Sequence, residues 1–344
     1  SAGADIPPGF IGNPQAAPDL CPATVNMVTN PPTCPQGSVV GELAIQARGM
    51  GSEQDGNSYF RMPLYAMKPE KGAPAQFGAA EVVSGGVYVL TPRLRPEDGY
   101  AISIDSAGIV ETPELIDVRV TLCSYGVNLE ISIGGWQFRN CKDKDDPGAW
   151  SKPLLTSQTA CFAQPPVTTL RTDSWIHPGD FKTYTAEAPK MTGCANVPFT
   201  PTLDLQPTAQ QAESASGLDV DLSVPSDGLE DPDGLSQSHL KRTTVTLPAG
   251  MSVNPGAADG LAACTQAQLG MSNGVPNNEP VRCPDASKIG TATVKTPILE
   301  ETLTGNIYLA KQGENPFGTL MALYLVVESK ERGVLIKIPG KVEF

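Results

Sequence analysis

An acidic loop holds the densest set of potential ligand atoms in this sequence. Residues 227–234 read DGLEDPDG, so four carboxylates fall within seven positions and two glycines are available for turns. Calcium prefers six to eight oxygen ligands, which carboxylates and backbone carbonyls of a turning loop can supply. Asp227, Asp231 and Asp233 are therefore candidate calcium ligands. Their spacing differs from that of an EF-hand loop, and a solvated acidic loop is the alternative interpretation.

Aromatic side chains suggest a second kind of site. Trp136, Trp150 and Trp175 all lie between residues 118 and 200. A flat aromatic ring beside acids and amides can stack on a sugar, although packing in a core explains a tryptophan equally well. Trp150 and Trp175 are the candidate residues of a sugar platform.

Motifs of known enzyme classes are missing from the sequence. The two histidines, His177 and His239, lie outside any G-x-S-x-G or H-E-x-x-H pattern, and no phosphate-binding glycine-rich loop occurs. A pair of carboxylates for glycoside hydrolysis would not be visible here, because such a pair is defined by its distance in space. We expect a protein without catalytic activity, with no cofactor besides the candidate calcium ion.

The charge balance argues against two classes of partner. The formal net charge is −13 at pH 7 and the isoelectric point is about 4.6. Nucleic acids and anionic membrane surfaces are bound by basic stripes, which this composition disfavours. No apolar run is long enough for a membrane span, and no signal peptide is found, so we expect no membrane insertion from this segment.

The eight cysteines indicate disulfides. No C-x-x-C motif occurs, which disfavours metal knuckles and redox motifs. Cys21 and Cys34 enclose a proline-rich loop, and Cys264 and Cys283 enclose a matching loop later in the chain, so each pair is predicted to be bonded. The remaining cysteines would most simply pair as Cys123–Cys141 and Cys161–Cys194. Four disulfides imply an oxidising compartment, and therefore a secreted or cell-surface protein.

The loops match because the sequence of residues 246–344 repeats that of the first hundred residues. Seven landmarks recur in the same order at a spacing of roughly 240 residues, which indicates an internal repeat. The matched positions are 6–9 with 247–250, 13–14 with 254–255, Cys21 with Cys264, Cys34 with Cys283, 38–41 with 287–290, Tyr65 with Tyr308, and Phe77-Gly78 with Phe317-Gly318. We interpret the two Phe-Gly pairs as a core aromatic beside a bulge glycine.

The elements that carry these residues are predicted to be short strands. The chain contains 34 glycines and 33 prolines, with 40% hydrophobic residues, as in strands joined by turns. Residues 118–123 and 127–133 are predicted to pair as a hairpin, and residues 256–269 to form a short helix. The further predicted strands are 39–47, 59–67, 79–83, 87–90, 100–104, 168–175, 181–185, 202–206 and 218–224.

These elements predict an all-β chain of tandem immunoglobulin-like β-sandwich modules with disulfide-clamped loops. The predicted modules are the first repeat copy (1–117), an intermediate β module (118–200) and the second copy (201–344), which is incomplete at its C-terminus. The first copy lacks counterparts of 202–206 and 218–224. We therefore expect either a fragment of a longer array or a protomer that completes its sheets with strands from another chain.

Several of these motifs resemble those of large secreted, repeat-containing, β-rich proteins of high-GC actinobacteria. The similar stretches are IPPGFIGNP (6–14), PLY (63–65), PAQFG (74–78), DSW (173–175), MTGC (191–194), GLDVDL (217–222), DPDG (231–234), TLPAGMSVNP (246–255), CPDASKIG (283–290) and NPFG (315–318). They span nearly the whole chain. The resemblance implies export and a long repetitive β-rich architecture, and it implies no activity.

Two functions remain as hypotheses. The first is a non-enzymatic extracellular structural or adhesive protein, whose partner would be a second copy of itself through strand exchange, or a surface glycan. The second is a carbohydrate-binding or carbohydrate-active module centred on residues 118–200. Glycan binding that depends on the candidate tryptophans would distinguish the second from the first.

Overall fold

The protein is all-β in its computed structural model. The structure describes residues 1–29, 32–47, 59–81, 86–109, 111, 115–122, 129–133, 136–140, 152–162, 164–231, 233–247, 250–251 and 260–343. The two α-helices in these ranges, α1 (Val25–Val28) and α2 (Gln266–Leu269), are four residues each. Neither is long and apolar enough to cross a membrane.

The strands alternate with turns along the whole described chain. They are β1 (Ala2–Asp5), β2 (Ile11–Gly12), β3 (Val39–Ala47), β4 (Phe60–Met67), β5 (Gln76–Glu81), β6 (Gly86–Arg95), β7 (Ala101–Ser106), β8 (Leu115–Leu122), β9 (Leu129–Ile133), β10 (Trp136–Asn140), β11 (Leu155–Thr156), β12 (Val167–Thr172), β13 (Lys182–Glu187), β14 (Thr202–Pro207), β15 (Leu218–Ser223), β16 (Met271–Ser272), β17 (Val275–Pro276), β18 (Lys288–Val294), β19 (Leu303–Leu309), β20 (Ala322–Ser329) and β21 (Val334–Lys341).

Nine antiparallel strands form the largest assembly, in the order β13-β12-β1-β7-β6-β5-β4-β3-β8. Strand β6 divides it: residues 86–90 pair with β5, and residues 91–95 pair with β7. We call β8, β3, β4, β5 and the first half of β6 the front sheet. The back sheet comprises the second half of β6 with β7, β1, β12 and β13. Side chains of both sheets line one cleft, so the two sheets face each other.

Alternation along the front-sheet strands places apolar side chains on both of its faces. The face toward the back sheet carries a buried cluster that includes Leu43, Met62, Leu64 and Phe77. The opposite face carries Val39, Tyr65 and Met67. It is covered by Met27 of α1 and by Cys21 of the disulfide-bonded Cys21–Cys34 loop. The disulfide-bonded loop therefore closes a second core.

The C-terminal sheet, β18-β19-β20-β21, repeats the front-sheet strands β3 to β6. In β3 a bulge separates the pairs Val39↔Tyr65 and Gly41↔Leu64. In β18 a bulge falls at the same place, between Lys288↔Tyr308 and Gly290↔Ile307. The sequence repeat is therefore matched by a repeat of strand register.

The cysteine loops repeat as well. The backbone N–H of Cys21 donates to the Ala66 carbonyl, and that of Cys264 donates to the Leu309 carbonyl, each at a distance of 2.8 Å. Each of these cysteines forms a parallel bridge, Cys21 with Met67 at the end of β4 and Cys264 with Ala310 directly after β19. Tertiary contacts thus place Met67 and Ala310 at equivalent positions.

The interpretation of the two Phe-Gly pairs is correct for Phe77, which is a core aromatic, but wrong for Phe317 and for Gly78, where the strand register shows no bulge. Phe77 and Gly78 lie inside β5, and Phe77 is 7% exposed, whereas Phe317 is 40% exposed in the turn before β20. The register pairs Gly78 with Tyr65 and Tyr324 with Tyr308, so Tyr324 is the counterpart of Gly78. In the first copy a Cβ at Gly78 would lie 2.5 Å from the Met67 sulfur. In the second copy, Ala310 stands at the position of Met67, and its smaller side chain leaves room for the Tyr324 ring.

The predicted hairpin of residues 118–123 and 127–133 is also wrong. Strand β8 pairs with β3, and β9 pairs with β10. Strand β8 runs across the predicted boundary at 117/118, and β12 of the predicted intermediate module pairs with β1. Of the predicted helix at 256–269, only Gln266–Leu269 is helical, as α2, where Thr265 and Gln268 form a capping box. Residues 260–265 are not helical, and residues 256–259 lie outside the described residues.

Two buried tyrosines predict a loss of stability at high pH. Tyr65 and Tyr324 are 1% and 0% exposed, and burial raises the pKa of both hydroxyls, that of Tyr324 to about 12. In the unfolded chain a tyrosine ionises at about pH 10, whereas these two stay protonated in the folded chain. Their contribution to stability is therefore fully present below pH 10 and is lost as pH rises through the folded pKa. We expect the free energy of unfolding to fall above about pH 10, with the phenolate absorbance of these residues appearing only on unfolding.

Phenylalanine variants provide the control for this expectation. Both hydroxyls are buried without a hydrogen-bond partner in the described structure, so the double change Tyr65→Phe and Tyr324→Phe should cost little at neutral pH. It should also weaken the alkaline loss of stability, measured by denaturant titration at several pH values. An unchanged alkaline profile in the double variant would show that other groups cause the loss.

Candidate functional site

The acidic loop is a tightly hydrogen-bonded turn. The backbone carbonyl of Asp227 accepts bonds from the N–H groups of Glu230 and Asp231, at 3.0 and 3.1 Å. The Asp231 carboxylate accepts the N–H of Asp233 at 2.9 Å, and Glu230 forms a 2.5 Å ion pair with Lys152. Within the described ranges, no three acidic, histidine or cysteine side chains gather as a metal site. Calcium binding by Asp227, Asp231 and Asp233 therefore stays a prediction.

The two candidate tryptophans differ in what can be said of them. Trp150 lies outside the described residues. Trp175 lies in the loop between β12 and β13 and is 62% exposed, beside Ile176 at 83%. The Asp173 carboxylate accepts the Gly179 N–H at 2.7 Å and the Ser174 hydroxyl accepts the His177 N–H at 3.1 Å, so the loop is held by its own side chains. Trp175 is thus an exposed aromatic ring on a built loop.

Three disulfides are present in the described residues: Cys21–Cys34, Cys161–Cys194 and Cys264–Cys283. These are three of the four predicted pairs, and the fourth, Cys123–Cys141, lies outside the described residues. Cys21 and Cys264 are fully buried. Three disulfides indicate an oxidising compartment.

A largely apolar cleft lies between the front and back sheets, with a volume of about 490 Å³. The front sheet contributes Leu43, Ile45 and Phe77, and the back sheet contributes Ile104 and Leu170. Sequence reasoning did not find this feature. The available signal was the alternation of apolar residues along β8 and β12, which marks an inward face but does not tell how far apart two facing sheets lie.

The cleft is open along one side, between β8 and β12. Val118 and Val120 of β8 line it and remain 44% and 47% exposed, and Leu170 of β12 is 45% exposed. The opposite face of β8 is polar, where Arg119 lies 4.4 Å over the ring of Tyr59 and pairs with Asp117 at 3.0 Å. β8 therefore has the pattern of a strand with one face turned to an apolar interior.

The outer face of the back sheet is a charged network. The carboxylate of Asp5 on β1 forms ion pairs with Arg171 of β12 at 3.0 Å and with Arg95 of β6 at 3.2 Å. It also accepts a hydrogen bond from the Ser103 hydroxyl. Burial alone would raise the pKa of the Asp5 carboxyl, but the bonds from Ser103 and Arg171 outweigh burial and lower it. These contacts join four strands, β1, β6, β7 and β12, so we assign the network a structural role.

A second buried charge lies in the C-terminal sheet, where sequence reasoning also missed it. Lys337 of β21 is 1% exposed. Its ammonium donates to three backbone carbonyls, those of Gly270 at 3.1 Å, Asn277 at 2.9 Å and Glu279 at 2.6 Å. Burial lowers the pKa of Lys337 to about 8. The side chain fastens the loop that contains β16 and β17 to the sheet.

The two repeat copies touch directly. The Tyr100 hydroxyl accepts the Lys337 N–H at 2.6 Å and donates to the Lys337 carbonyl at 3.1 Å. The Gly72 N–H donates to the Glu331 carbonyl at 2.8 Å, and Leu94 of β6 packs on the cluster of Leu303, Val327 and Val334. Polar and apolar contacts therefore link the copies.

Comparison of the chain with protein-family models, with curated proteins and with solved structures gives no significant match. The class of protein is accordingly defined by the fold and its bonds: an all-β protein with disulfides and an internal repeat.

Proposed function

We propose that this protein is a non-enzymatic extracellular building block with a structural or adhesive role, made of repeated immunoglobulin-like β modules. The main support is that one structural unit occurs twice, with the same strand register, the same bulge and the same disulfide-bonded loop. The two copies also touch each other. Repeats of this kind gain stability from each unit and from the contacts between neighbours. Secretion is part of the proposal, supported by the three disulfides and by the sequence resemblance to exported proteins.

Mechanical continuity between the copies is what this function requires, and Tyr100 offers its test. Tyr100→Phe removes both hydrogen bonds to Lys337 and leaves two backbone groups without that partner, at a cost of about 1–3 kcal/mol. We expect the variant to unfold in two calorimetric transitions, because the copies lose part of their coupling, where the unaltered protein unfolds in one. Tyr184→Phe, at a ring that is 60% exposed, should leave the transition unchanged. A Tyr100→Phe profile identical to that of the control would contradict the proposed coupling.

Strand exchange between chains is the second element of the proposal. Strands β14 and β15 form a two-stranded sheet with one apolar face, on which Leu203, Val220 and Leu222 are 50%, 48% and 36% exposed. An isolated two-stranded hairpin is marginally stable in water, so added strands or a covering sheet would stabilise it. Light scattering should detect growing assemblies as concentration rises, and a constant monomer mass would contradict self-assembly.

The alternative function, carbohydrate binding, is favoured by the exposure of Trp175. Stacking of a sugar on an exposed indole contributes a large part of such binding, so Trp175→Ala should abolish any saturable binding found on a glycan array. Ile176→Ala is the matched control, because it removes a still more exposed apolar side chain from the same loop. Equal loss in both variants would point to nonspecific apolar contact and against a sugar platform.

A further inference from the structure

We propose that the cleft between the front and back sheets binds one long aliphatic chain, such as the acyl chain of a fatty acid. This function goes beyond the proposed structural role, because it concerns the interior of the first copy and not the contact between copies.

The lining of the cleft determines the class of ligand. Among the described residues, the lining consists of apolar side chains except for Tyr88, Ser106 and Thr172, and none of these lining residues is charged. A sugar or a nucleotide buried there would lose hydrogen bonds to water that these three hydroxyls could not replace. A methylene chain loses none, and each methylene group that is removed from water adds to the binding free energy. The chemistry therefore fits a hydrocarbon chain, with its polar end in solvent.

Size and access agree with this ligand. The volume of about 490 Å³ lies within the range of roughly 300–1,000 Å³ that is usual for ligand pockets. The open side between β8 and β12 gives a chain a route of entry past Val120 and Leu170. Both side chains are nearly half exposed, and a bound chain would cover them.

The C-terminal sheet predicts the stoichiometry. It repeats β3 to β6 only, and within the described residues it has no strand beside β18 in the position of β8, and no facing back sheet. The cleft is thus built once in the described structure, so one ligand should bind per chain.

The test uses the full chain, titrated with the fluorescent fatty acid cis-parinaric acid and then competed with dodecanoate. We expect saturable binding of one probe per chain, its displacement by dodecanoate, and a rise in the melting temperature with dodecanoate concentration, because a ligand that binds only the folded state stabilises it. Val120→Trp should fill the cleft and weaken binding by at least about tenfold, which corresponds to about 1.4 kcal/mol.

Two further variants keep the result interpretable. Leu170→Trp fills the cleft from the opposite sheet and should weaken binding similarly if Val120→Trp fails to fold. Ile116→Trp is the control, because Ile116 is on the same strand, 58% exposed, and outside the cleft lining. Near-ultraviolet circular dichroism would establish that each variant is folded. The proposal would be overturned if the unaltered protein showed no saturable binding, or if all variants bound the probe equally. It would also be overturned if the protein formed dimers that Val120→Trp abolishes and dodecanoate does not affect.

Discussion

Replacing Cys264 and Cys283 together by alanine is expected to lower the free energy of unfolding by about 3–5 kcal/mol. Two effects add. The bond closes a loop with a sequence separation of 19, and its removal restores conformational freedom to the unfolded chain. Cys264 is also fully buried among Leu269, Tyr308 and Tyr324, so the variant loses packing at the centre of that core.

The Cys161–Cys194 bond provides the comparison that separates these effects. Its sequence separation is 33, so loop entropy alone predicts that its removal costs more. Cys161, however, is exposed and Cys194 is only half-buried. We expect the Cys161→Ala and Cys194→Ala pair to cost less than the Cys264 and Cys283 pair in guanidinium titrations. The reverse order would mean that loop length, and not burial, dominates the contribution of these bonds.

Lys337→Met is expected to cost about 2–4 kcal/mol. Methionine fills the volume of the lysine stem and avoids burying a charge, which on its own would be stabilising. The carbonyls of Asn277 and Glu279 would nevertheless lose the donor they have in Lys337, and each buried unsatisfied group costs about 1–3 kcal/mol. Gly270 keeps one bond, because its carbonyl also accepts the Asn277 N–H at 3.0 Å. Denaturant titration measures the net effect.

The pH dependence of this variant checks the assignment. The pKa of Lys337 is lowered to about 8 in the folded chain. Between pH 8 and about 10.4, Lys337 is therefore protonated in the unfolded chain and largely deprotonated in the folded chain. The free energy of unfolding therefore gains a contribution that rises with pH in this window. The difference in stability between the unaltered protein and Lys337→Met should grow from pH 7 to pH 10. Lys341→Met, at an exposed position on the same strand, should show no such growth; a constant difference for Lys337→Met would contradict the lowered pKa.

The sequence was most informative where a local motif recurred. Cys21 and Cys264 stand in the same loop, before the same bulge, and repetition alone was enough to pair each with its partner cysteine. The Phe317-Gly318 match failed because strand register is set by pairing with β19, where Tyr308 lies opposite Tyr324. Two matching residues in a turn carry no information about that pairing.

Pairing between distant strands was the other limit. Strand β8 has an alternating pattern that suits either β9 or β3, and only the folded chain distinguishes them. Lys337 could have been noticed, because it interrupts an apolar run on the face of β21 that it shares with Leu335. Its three carbonyl partners, contributed by a loop about sixty residues earlier in the chain, could not be inferred from that run.

Strand β1 can complete its pairing only when distant parts of the chain have been added to the sheet. It lies between β7 and β12, so residues near the start of the chain complete their hydrogen bonds with residues 169–172. Contacts of such long sequence separation form slowly, and a strand with open edges is prone to wrong pairing meanwhile. During synthesis from the N-terminal side, one edge of β1 would stay unpaired until about half of this sequence had followed. A chaperone that covers this edge would therefore raise the yield of native protein.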